Sequence, residues 1–175
     1  MMLTEDGKHL YVSYDEYHNL CEKLAIKVHQ SGWEFDTILC LARGGMRPGD
    51  ILSRIFDVPL AIMSTSSYRA DAGTVQGHLD IAHYITTPRG EIAGKVLLVD
   101  DLADSGLTLH KVVDMLRSKY TKVTELRTAV LWTKGLSKFA PDYSVEYLPT
   151  NPWIHQPFQT YDGMRPEKLL EKWKV

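Results

Sequence analysis

Residues 96–108 read Val96-Leu97-Leu98-Val99-Asp100-Asp101-Leu102-Ala103-Asp104-Ser105-Gly106-Leu107-Thr108. The stretch begins with four apolar residues, a short run typical of a strand that is buried on both faces. Carboxylates follow directly, and Ser, Gly and Thr then stand where a helix is expected to begin. In open parallel sheets, ligands bind beyond the carboxyl ends of the strands. The stretch therefore predicts a strand that carries polar groups to a ligand site.

The polar part of this stretch combines groups that suit two different halves of one ligand. Residues 104–108 offer backbone N–H groups at a helix N-terminus, two hydroxyls and a glycine, which together favour an anion. Asp100 and Asp101 cannot bind a phosphate, but they suit hydroxyl donors or a hydrated Mg²⁺. A ligand that carries both a phosphate and a vicinal diol is a ribose phosphate. The alternative, acids that only cap a helix, is weaker because adjacent like charges repel unless a ligand or metal offsets them.

The rest of the chain alternates between predicted helices and strands. Helices are predicted from Tyr14 onward, where Ser13 and Glu16 form a capping box, and over residues 48–56 and 108–120. Strands are predicted over residues 37–42, 59–63, 95–99, 123–132 and 143–147. This alternation implies an α/β fold with a mostly parallel twisted sheet flanked by helices. Residues 64–90 lack a regular pattern and are predicted to form a mobile excursion from a single domain of residues 1–175.

Composition excludes several classes of protein. The 175 residues are 44% hydrophobic and 24% charged, and the net charge of −2 argues against a nucleic-acid partner. Neither a transmembrane run nor a signal peptide is evident, so we expect no membrane partner and a cytoplasmic location. The two cysteines, Cys21 and Cys40, cannot build a disulfide framework or a zinc site. The glycine patterns of dinucleotide-binding and P-loop proteins are absent from the sequence.

Residues 100–108 resemble the signature with which type I phosphoribosyltransferases bind 5-phosphoribosyl 1-pyrophosphate (PRPP). Arg43-Gly44-Gly45, at the end of another predicted strand, resembles the family's pyrophosphate loop, whose backbone often contains a non-proline cis peptide. Ser66-Ser67-Tyr68-Arg69 resembles the start of the flexible loop that closes over PRPP. Trp153-Ile154-His155-Gln156-Pro157-Phe158 is similar to the purine-site segment of the bacterial xanthine–guanine and hypoxanthine–guanine members. The resemblance spans about residues 11–158.

The resemblance implies a Mg²⁺-dependent purine salvage enzyme of the type I phosphoribosyltransferase fold. Such an enzyme transfers the phosphoribosyl group of PRPP to a 6-oxopurine, namely hypoxanthine, guanine or xanthine, and releases pyrophosphate. Asp100 and Asp101 would hold the ribose hydroxyls and help place the metal. The PRPP phosphate would be surrounded by Asp104, Ser105, Gly106, Leu107 and Thr108. Asp104 would also be the catalytic residue, exchanging a proton with purine N7.

The same resemblance assigns the other candidate residues. Pyrophosphate would be held by Arg43, Gly44 and Arg69, and Ser67 and Tyr68 would belong to a lid over residues 64–90. In the purine site, Lys134 would donate to the 6-oxo oxygen, Trp153 would stack on the base, and the Ile154 backbone would contact the 2-substituent. The last two lie in a base-binding hood of residues 149–175. Asp162 and Arg165 could contact metal and pyrophosphate, although their spacing departs from the family's.

This hypothesis has two alternatives. A regulator that senses PRPP or a nucleotide could share the fold, although residues that resemble both the catalytic and the base-binding parts are present here. RNA titration beside a turnover assay would separate the regulator from an enzyme. Adenine or pyrimidine acceptors are disfavoured, since adenine enzymes of the family generally carry Ala, and orotate enzymes Thr, where this chain has Asp104. The preferred 6-oxopurine stays open, because His155 replaces an acid of the xanthine–guanine enzymes. By resemblance, we expect a homodimer or homotetramer.

Overall fold

The computed structural model describes residues 1–67, 79–82, 84–88 and 90–174. Its helices are α1 (Tyr14–Gln30), α2 (Met46–Phe56), α3 (Leu107–Lys119) and α4 (Pro166–Trp173). Its strands are β1 (Met2–Leu3), β2 (His9–Tyr11), β3 (Thr37–Ala42), β4 (Leu60–Ser67), β5 (Leu79–Ile81), β6 (Gly94–Val99), β7 (Leu102–Ala103), β8 (Val123–Lys134), β9 (Tyr143–Leu148) and β10 (Trp153–His155). The chain forms two compact units: a terminal unit of residues 1–19 and 151–175, and a core unit of residues 20–150.

The core unit is built on a mostly parallel sheet, as the sequence predicts. The strand order is β5-β4-β3-β6-β8-β7, and β9 also pairs with β8. Among the described strands of this sheet, only β4 and β5 pair in antiparallel fashion. Cys40 of β3 and Ala129 of β8 both lie opposite Val99, the last residue of β6. The loop after β3 and the acidic stretch after β6 therefore leave the sheet side by side.

The central strands are apolar because both faces of the sheet are covered. In β3 and β6, the residues 38–41 and 96–99 are fully buried. The predicted inner face of α3 is also buried, and it consists of Leu109, Val112, Val113 and Leu116. Burial of each such side chain contributes about 1.5–3 kcal/mol to the stability of the folded chain. This packed core provides a rigid base for the loops at the carboxyl ends of β3, β6 and β8.

Local signals in the sequence place most of the predicted elements correctly. At the start of α1, Glu16 Oε2 accepts the backbone N–H of Ser13 at 2.8 Å, so the capping box is confirmed. The predicted bounds of β3 are also confirmed. Helix α2 begins two residues before Pro48, because the N–H of Gly49 already bonds to the carbonyl of Gly45 at 2.8 Å. Proline fits the first helical turn, where the missing N–H has no intrahelical partner.

Several strands differ from their predicted lengths. Strand β4 continues to Ser67 and β8 continues to Lys134. Strand β5 falls within the predicted excursion, where it pairs with β4 so that Ile81 lies opposite Thr65. This pairing depends on a distant partner strand, which the local pattern does not show. Residues 68–78, 83 and 89 of the predicted excursion lie outside the described residues.

The terminal unit contains a small sheet that the sequence did not predict. Its order is β1-β2-β10, with β1 antiparallel and β10 parallel to β2. These strands have only two or three residues each, too few for a recognisable alternation. The ring of Tyr17 packs edge-on against Phe158, with 5.3 Å between the ring centres. None of the helices in the described part of the chain is long and apolar enough to cross a membrane.

Candidate active site

The loop that follows β3 lies directly against the acidic residues that follow β6. The peptide bond between Ala42 and Arg43 is cis, as the family resemblance implies. A Cβ added to Gly44 would lie 2.4 Å from Asp101 Oδ1 and 3.0 Å from Asp100 Oδ1. Any side chain at this position would therefore collide with the two carboxylates. The backbone of the predicted pyrophosphate loop and the predicted ribose and metal residues form one cluster.

The two adjacent carboxylates are electrostatically unfavourable without a ligand. Burial, and then the nearby charge of Asp101, raise the pKa of Asp100 well above its usual range. The backbone N–H of Asp101 donates to Asp100 Oδ1 at 2.9 Å, which only partly offsets this cost. A bound cation or a pair of hydroxyl donors would relieve the repulsion. The residues present thus fit the ligand classes that the sequence predicts for them.

Magnesium in particular does not need an all-protein cage. The described residues contain no group of three or more His, Cys, Asp or Glu side chains arranged to hold a metal. Mg²⁺ usually keeps several waters and is bound by one or two carboxylates together with substrate phosphates. Asp100 and Asp101 match that pattern, in which substrate oxygens complete the coordination.

Residues 104–108, the phosphate loop, present the N-terminus of α3. Gly106 has a φ of +79°, a left-handed conformation that favours glycine, and α3 begins at the next residue. The Ser105 hydroxyl accepts the N–H of Leu107 at 3.3 Å. The first turn of α3 contains no acidic side chain. Its N–H groups and the positive end of the helix dipole therefore favour an anion such as a phosphate.

Asp104 and Lys134 form an ion pair beside the phosphate loop. Pairing of β7 with β8 sets Ala103 opposite Thr133, so the next residues of the two strands are neighbours. Lys134 Nζ lies 3.1 Å from Asp104 Oδ1, and the two side chains are 7% and 41% exposed. Lys134 is the last residue of β8, rather than a residue that follows the strand. The structure thus brings together the two residues that the sequence assigned to adjacent edges of a purine.

The other predicted base residues belong to the terminal unit. Trp153 is 45% exposed and Ile154 is buried, both in β10. The N–H of Trp153 bonds to the carbonyl of Lys8 at 2.7 Å, and the carbonyl of His155 accepts the N–H of Val12 at 3.1 Å. Because polar groups alternate in direction along a strand, the N–H and C=O of Ile154 point away from β2. The contact of Ile154 with a base stays a prediction.

His155 has a partner that the sequence did not predict. Its Nε2 lies 2.9 Å from Nδ1 of His9, and its ring stacks on Tyr11 with 4.3 Å between the ring centres. The parallel pairing of β2 with β10 creates this cluster from residues about 145 positions apart. No local motif could have indicated it.

The remaining candidates are placed only in part. Asp162 and Arg165 are exposed in the terminal unit, where the Arg165 guanidinium donates to the Asp162 carbonyl oxygen at 3.0 Å. This local contact gives no support to their predicted role at metal and pyrophosphate. Ser67 ends β4, whereas Tyr68 and Arg69 lie outside the described residues. The roles of all the candidate residues remain predictions.

Comparison with known proteins identifies the family. A family model described as "Phosphoribosyl transferase domain" matches residues 13–162. The chain belongs to the type I phosphoribosyltransferases. The resemblance noted in the sequence is thereby confirmed, and the chain is a phosphoribosyltransferase on the expected fold.

Among curated relatives, the xanthine-guanine phosphoribosyltransferase of Ruegeria sp. (strain TM1040) is 27% identical over 158 residues, which cover 86% of this chain and 85% of the relative. The protein of the same name from Roseobacter denitrificans is 30% identical over 112 residues, or 60% and 63% of the two chains. A purine phosphoribosyltransferase structure from Pyrococcus horikoshii has a TM-score of 0.70 at 28% identity, covering 86% and 94%. The Helicobacter pylori xanthine-guanine-hypoxanthine phosphoribosyltransferase also reaches 0.70, at 26% identity and with 94% and 99% covered.

Proposed function

We propose that this phosphoribosyltransferase transfers the 5-phosphoribosyl group of PRPP to a 6-oxopurine, giving the nucleoside 5′-monophosphate and pyrophosphate in purine salvage. The observation that carries the proposal is the ion pair of Asp104 and Lys134 next to the phosphate loop. A carboxylate accepts a proton or hydrogen bond, whereas an ammonium only donates. The pair therefore offers complementary groups to N7–H and to the 6-oxo oxygen of one purine ring. The names of the xanthine-guanine relatives support the same substrate class.

The phosphoribosyl end of the substrate fits the core unit. The 5′-phosphate would bind the N–H groups at the start of α3, and the ribose hydroxyls would donate to Asp100 and Asp101. The diphosphate would lie on the Arg43–Gly44 backbone, where a Cβ added to Gly44 would collide with both carboxylates. Arg69 would contribute from the lid. When bound, Mg²⁺ would neutralise negative charge on the diphosphate leaving group, with Asp100 and Asp101 as its protein ligands.

In the reaction, the purine nitrogen forms a bond to C1 of the ribose while the bond from C1 to the diphosphate oxygen breaks. The diphosphate leaves with the bonding electrons, and Asp104 takes the proton that the base loses at N7. Lys134 holds the 6-oxo oxygen and so orients the base toward C1. By the family resemblance, Trp153 stacks on the ring and the Ile154 backbone contacts its 2-substituent. Catalysis thus depends on positioning and on charge stabilisation.

The remaining expectations belong to the same proposal. We infer a homodimer or homotetramer from the resemblance, and a cytoplasmic enzyme without nucleic-acid or membrane partners from the charge and sequence pattern.

One assay tests the proposal. Purified protein with PRPP and Mg²⁺ is incubated with hypoxanthine, guanine, xanthine, adenine or uracil, and nucleotide formation is followed. We expect turnover of at least one 6-oxopurine and rejection of adenine by about 10⁴-fold, because the polar groups of the site would be left unpaired. Excess EDTA should abolish activity, and added Mg²⁺ should restore it. PRPP binding without turnover of any base would instead favour the regulatory alternative.

A further inference from the structure

The turn that follows β8, residues 135–139, contacts two parts of the proposed site in the core unit: Lys134 and the phosphate loop. We call it the support turn. At one end, the backbone N–H of Ser137 donates to the carbonyl of Lys134 at 2.9 Å. At the other end, the N–H of Lys138 donates to the carbonyl of Ser105 at 3.0 Å. The support turn thus connects Lys134, which is proposed to bind the purine, to the phosphate loop through backbone hydrogen bonds.

The support turn also packs closely against the glycine of the phosphate loop. A Cβ added to Gly106 would lie 2.5 Å from Phe139 Cβ and 2.7 Å from both Phe139 N and Ser137 Oγ. Real Cβ atoms essentially never approach other atoms this closely. The ring of Phe139 packs on the buried core cluster that includes the inner face of α3. The phosphate loop therefore rests on a turn that is itself anchored in the core.

The shape of the support turn depends on one hydroxyl group. Ser137 Oγ donates to the carbonyl of Phe139 at 2.8 Å and accepts the N–H of Phe139 at 3.3 Å. The side chain is half-buried. Both bonds act on the backbone of the residue that contacts Gly106. Loss of the hydroxyl would leave these two groups to find other partners and would loosen the surface beneath the phosphate loop.

We infer that Ser137 is a positioning residue for PRPP: by shaping the support turn, it fixes the N–H groups of the phosphate loop that bind the 5′-phosphate. The inference rests on the proposed function and extends it to a residue outside the family signature. Ser137 touches no reacting atom, so its effect is expected in binding rather than in the chemical step. A contact made equally in the ground and transition states changes KM and leaves kcat unaltered.

The test is the variant Ser137→Ala, with Ser137→Thr as the version that keeps the hydroxyl. We expect Ser137→Ala to raise KM for PRPP about five- to tenfold, the size of one lost hydrogen bond, while kcat and KM for the base stay within about twofold. Ser137→Thr should restore most of the wild-type KM. Ser118→Ala is the matched control, since its hydroxyl donates to the Met115 carbonyl at the far end of α3. It should leave all three constants unchanged.

A binding measurement separates phosphate positioning from a general loss of structure. Calorimetry with guanosine 5′-monophosphate and with guanosine should show that Ser137→Ala weakens only the phosphorylated ligand, again by about five- to tenfold. Equal weakening of both ligands, or wild-type KM for PRPP in Ser137→Ala, would overturn the inference. Wild-type protein that neither forms nucleotide nor binds the monophosphate would refute the proposed function instead.

Discussion

Two groups of aspartates in the core unit, those that directly precede a strand and those that follow β6, differ in their environments. Those that precede strands accept backbone hydrogen bonds from the neighbouring strand. Asp36 Oδ2 accepts the N–H of Lys95 at 2.7 Å, and Asp142 Oδ2 accepts the N–H of Thr128 at the same distance. Asp100, which follows β6, is instead held beside the like charge of Asp101, and its pKa is raised.

The difference separates structural from functional acids. An aspartate that satisfies a strand N–H stabilises the folded chain by about 1 kcal/mol or more. The acidic pair after β6 destabilises it, because burial and the charge of Asp101 disfavour the ionised form of Asp100. Such a cost persists where a ligand requires the arrangement. Substitutions of the two kinds of aspartate should therefore have opposite consequences.

The largest effect should come from Asp104→Asn. An amide cannot take the proton from purine N7, so we expect kcat to fall about 10²- to 10⁴-fold. The asparagine side chain has nearly the size of aspartate, and the phosphate-loop backbone is unchanged. KM for PRPP should therefore stay within about threefold of the wild-type value. Steady-state kinetics and PRPP titration measure both quantities. Near-full kcat in this variant would place Asp104 with the structural aspartates and break the comparison.

Lys134→Ala should show a smaller effect that is specific to the base. Without the ammonium donor, KM for a 6-oxopurine should rise about 10- to 100-fold. The ratio of the rate with a 6-oxopurine to the rate with a 6-aminopurine should therefore become smaller. Lys138→Ala is the matched control, because that side chain is exposed and the backbone N–H, which contacts the phosphate loop, is retained. Initial rates with hypoxanthine and with adenine give this ratio. An unchanged ratio in Lys134→Ala would contradict its assignment to the purine 6-position.

Asp142→Ala tests the structural kind. The substitution leaves the N–H and hydroxyl of the buried Thr128 without the oxygen that accepts both of them at 2.7 and 2.8 Å. We expect the free energy of unfolding to fall by about 1–3 kcal/mol, measured by urea denaturation. Activity at a temperature where the variant is folded should stay within about twofold of wild type. A loss of activity without a loss of stability would show that position alone does not separate the two kinds.

Local sequence signals predicted the parts of the fold and site that lie within one continuous stretch. The capping box of α1, the bounds of β3 and the buried face of α3 depend on neighbours a few residues away. The acidic residues after β6 were found for the same reason, since crowded charges after an apolar run are visible in the sequence. The cluster of these residues with Gly44 depends instead on the register between β3 and β6, which the structure shows and the sequence does not.

Contacts between distant segments could not be predicted in this way. The pair His9 and His155 exists only because β2 and β10, about 145 residues apart, lie side by side. The same holds for the contact of the support turn with Gly106, because the local sequence of neither segment indicates that the two are in contact. Strands of two or three residues offer too little alternation to be recognised. Their positions are set by tertiary packing rather than by local preference.

The smallest expected effect, and the one with an unusual sign, is that of Asp100→Asn on stability. The folded-state pKa of Asp100 is raised above the value of an unfolded aspartate, which is about 3.9. Below the unfolded value the group is protonated in both states and costs nothing. As the pH rises through the folded-state pKa, the folded chain must hold a charge that its surroundings disfavour, and stability is lost.

Asparagine has nearly the same shape as aspartate and no charge, so at pH 7 the Asp100→Asn variant should melt about 2–4 °C higher than wild type, corresponding to about 1 kcal/mol. This gain should shrink as the pH is lowered toward 4. Thermal unfolding without Mg²⁺ or PRPP provides the measurement, and Asp114→Asn, at an exposed site on α3, should change the melting temperature little at any pH. A lower melting temperature for Asp100→Asn at pH 7 would mean that Asp100 stabilises the fold as Asp142 does, and the contrast between the two kinds of aspartate would fail.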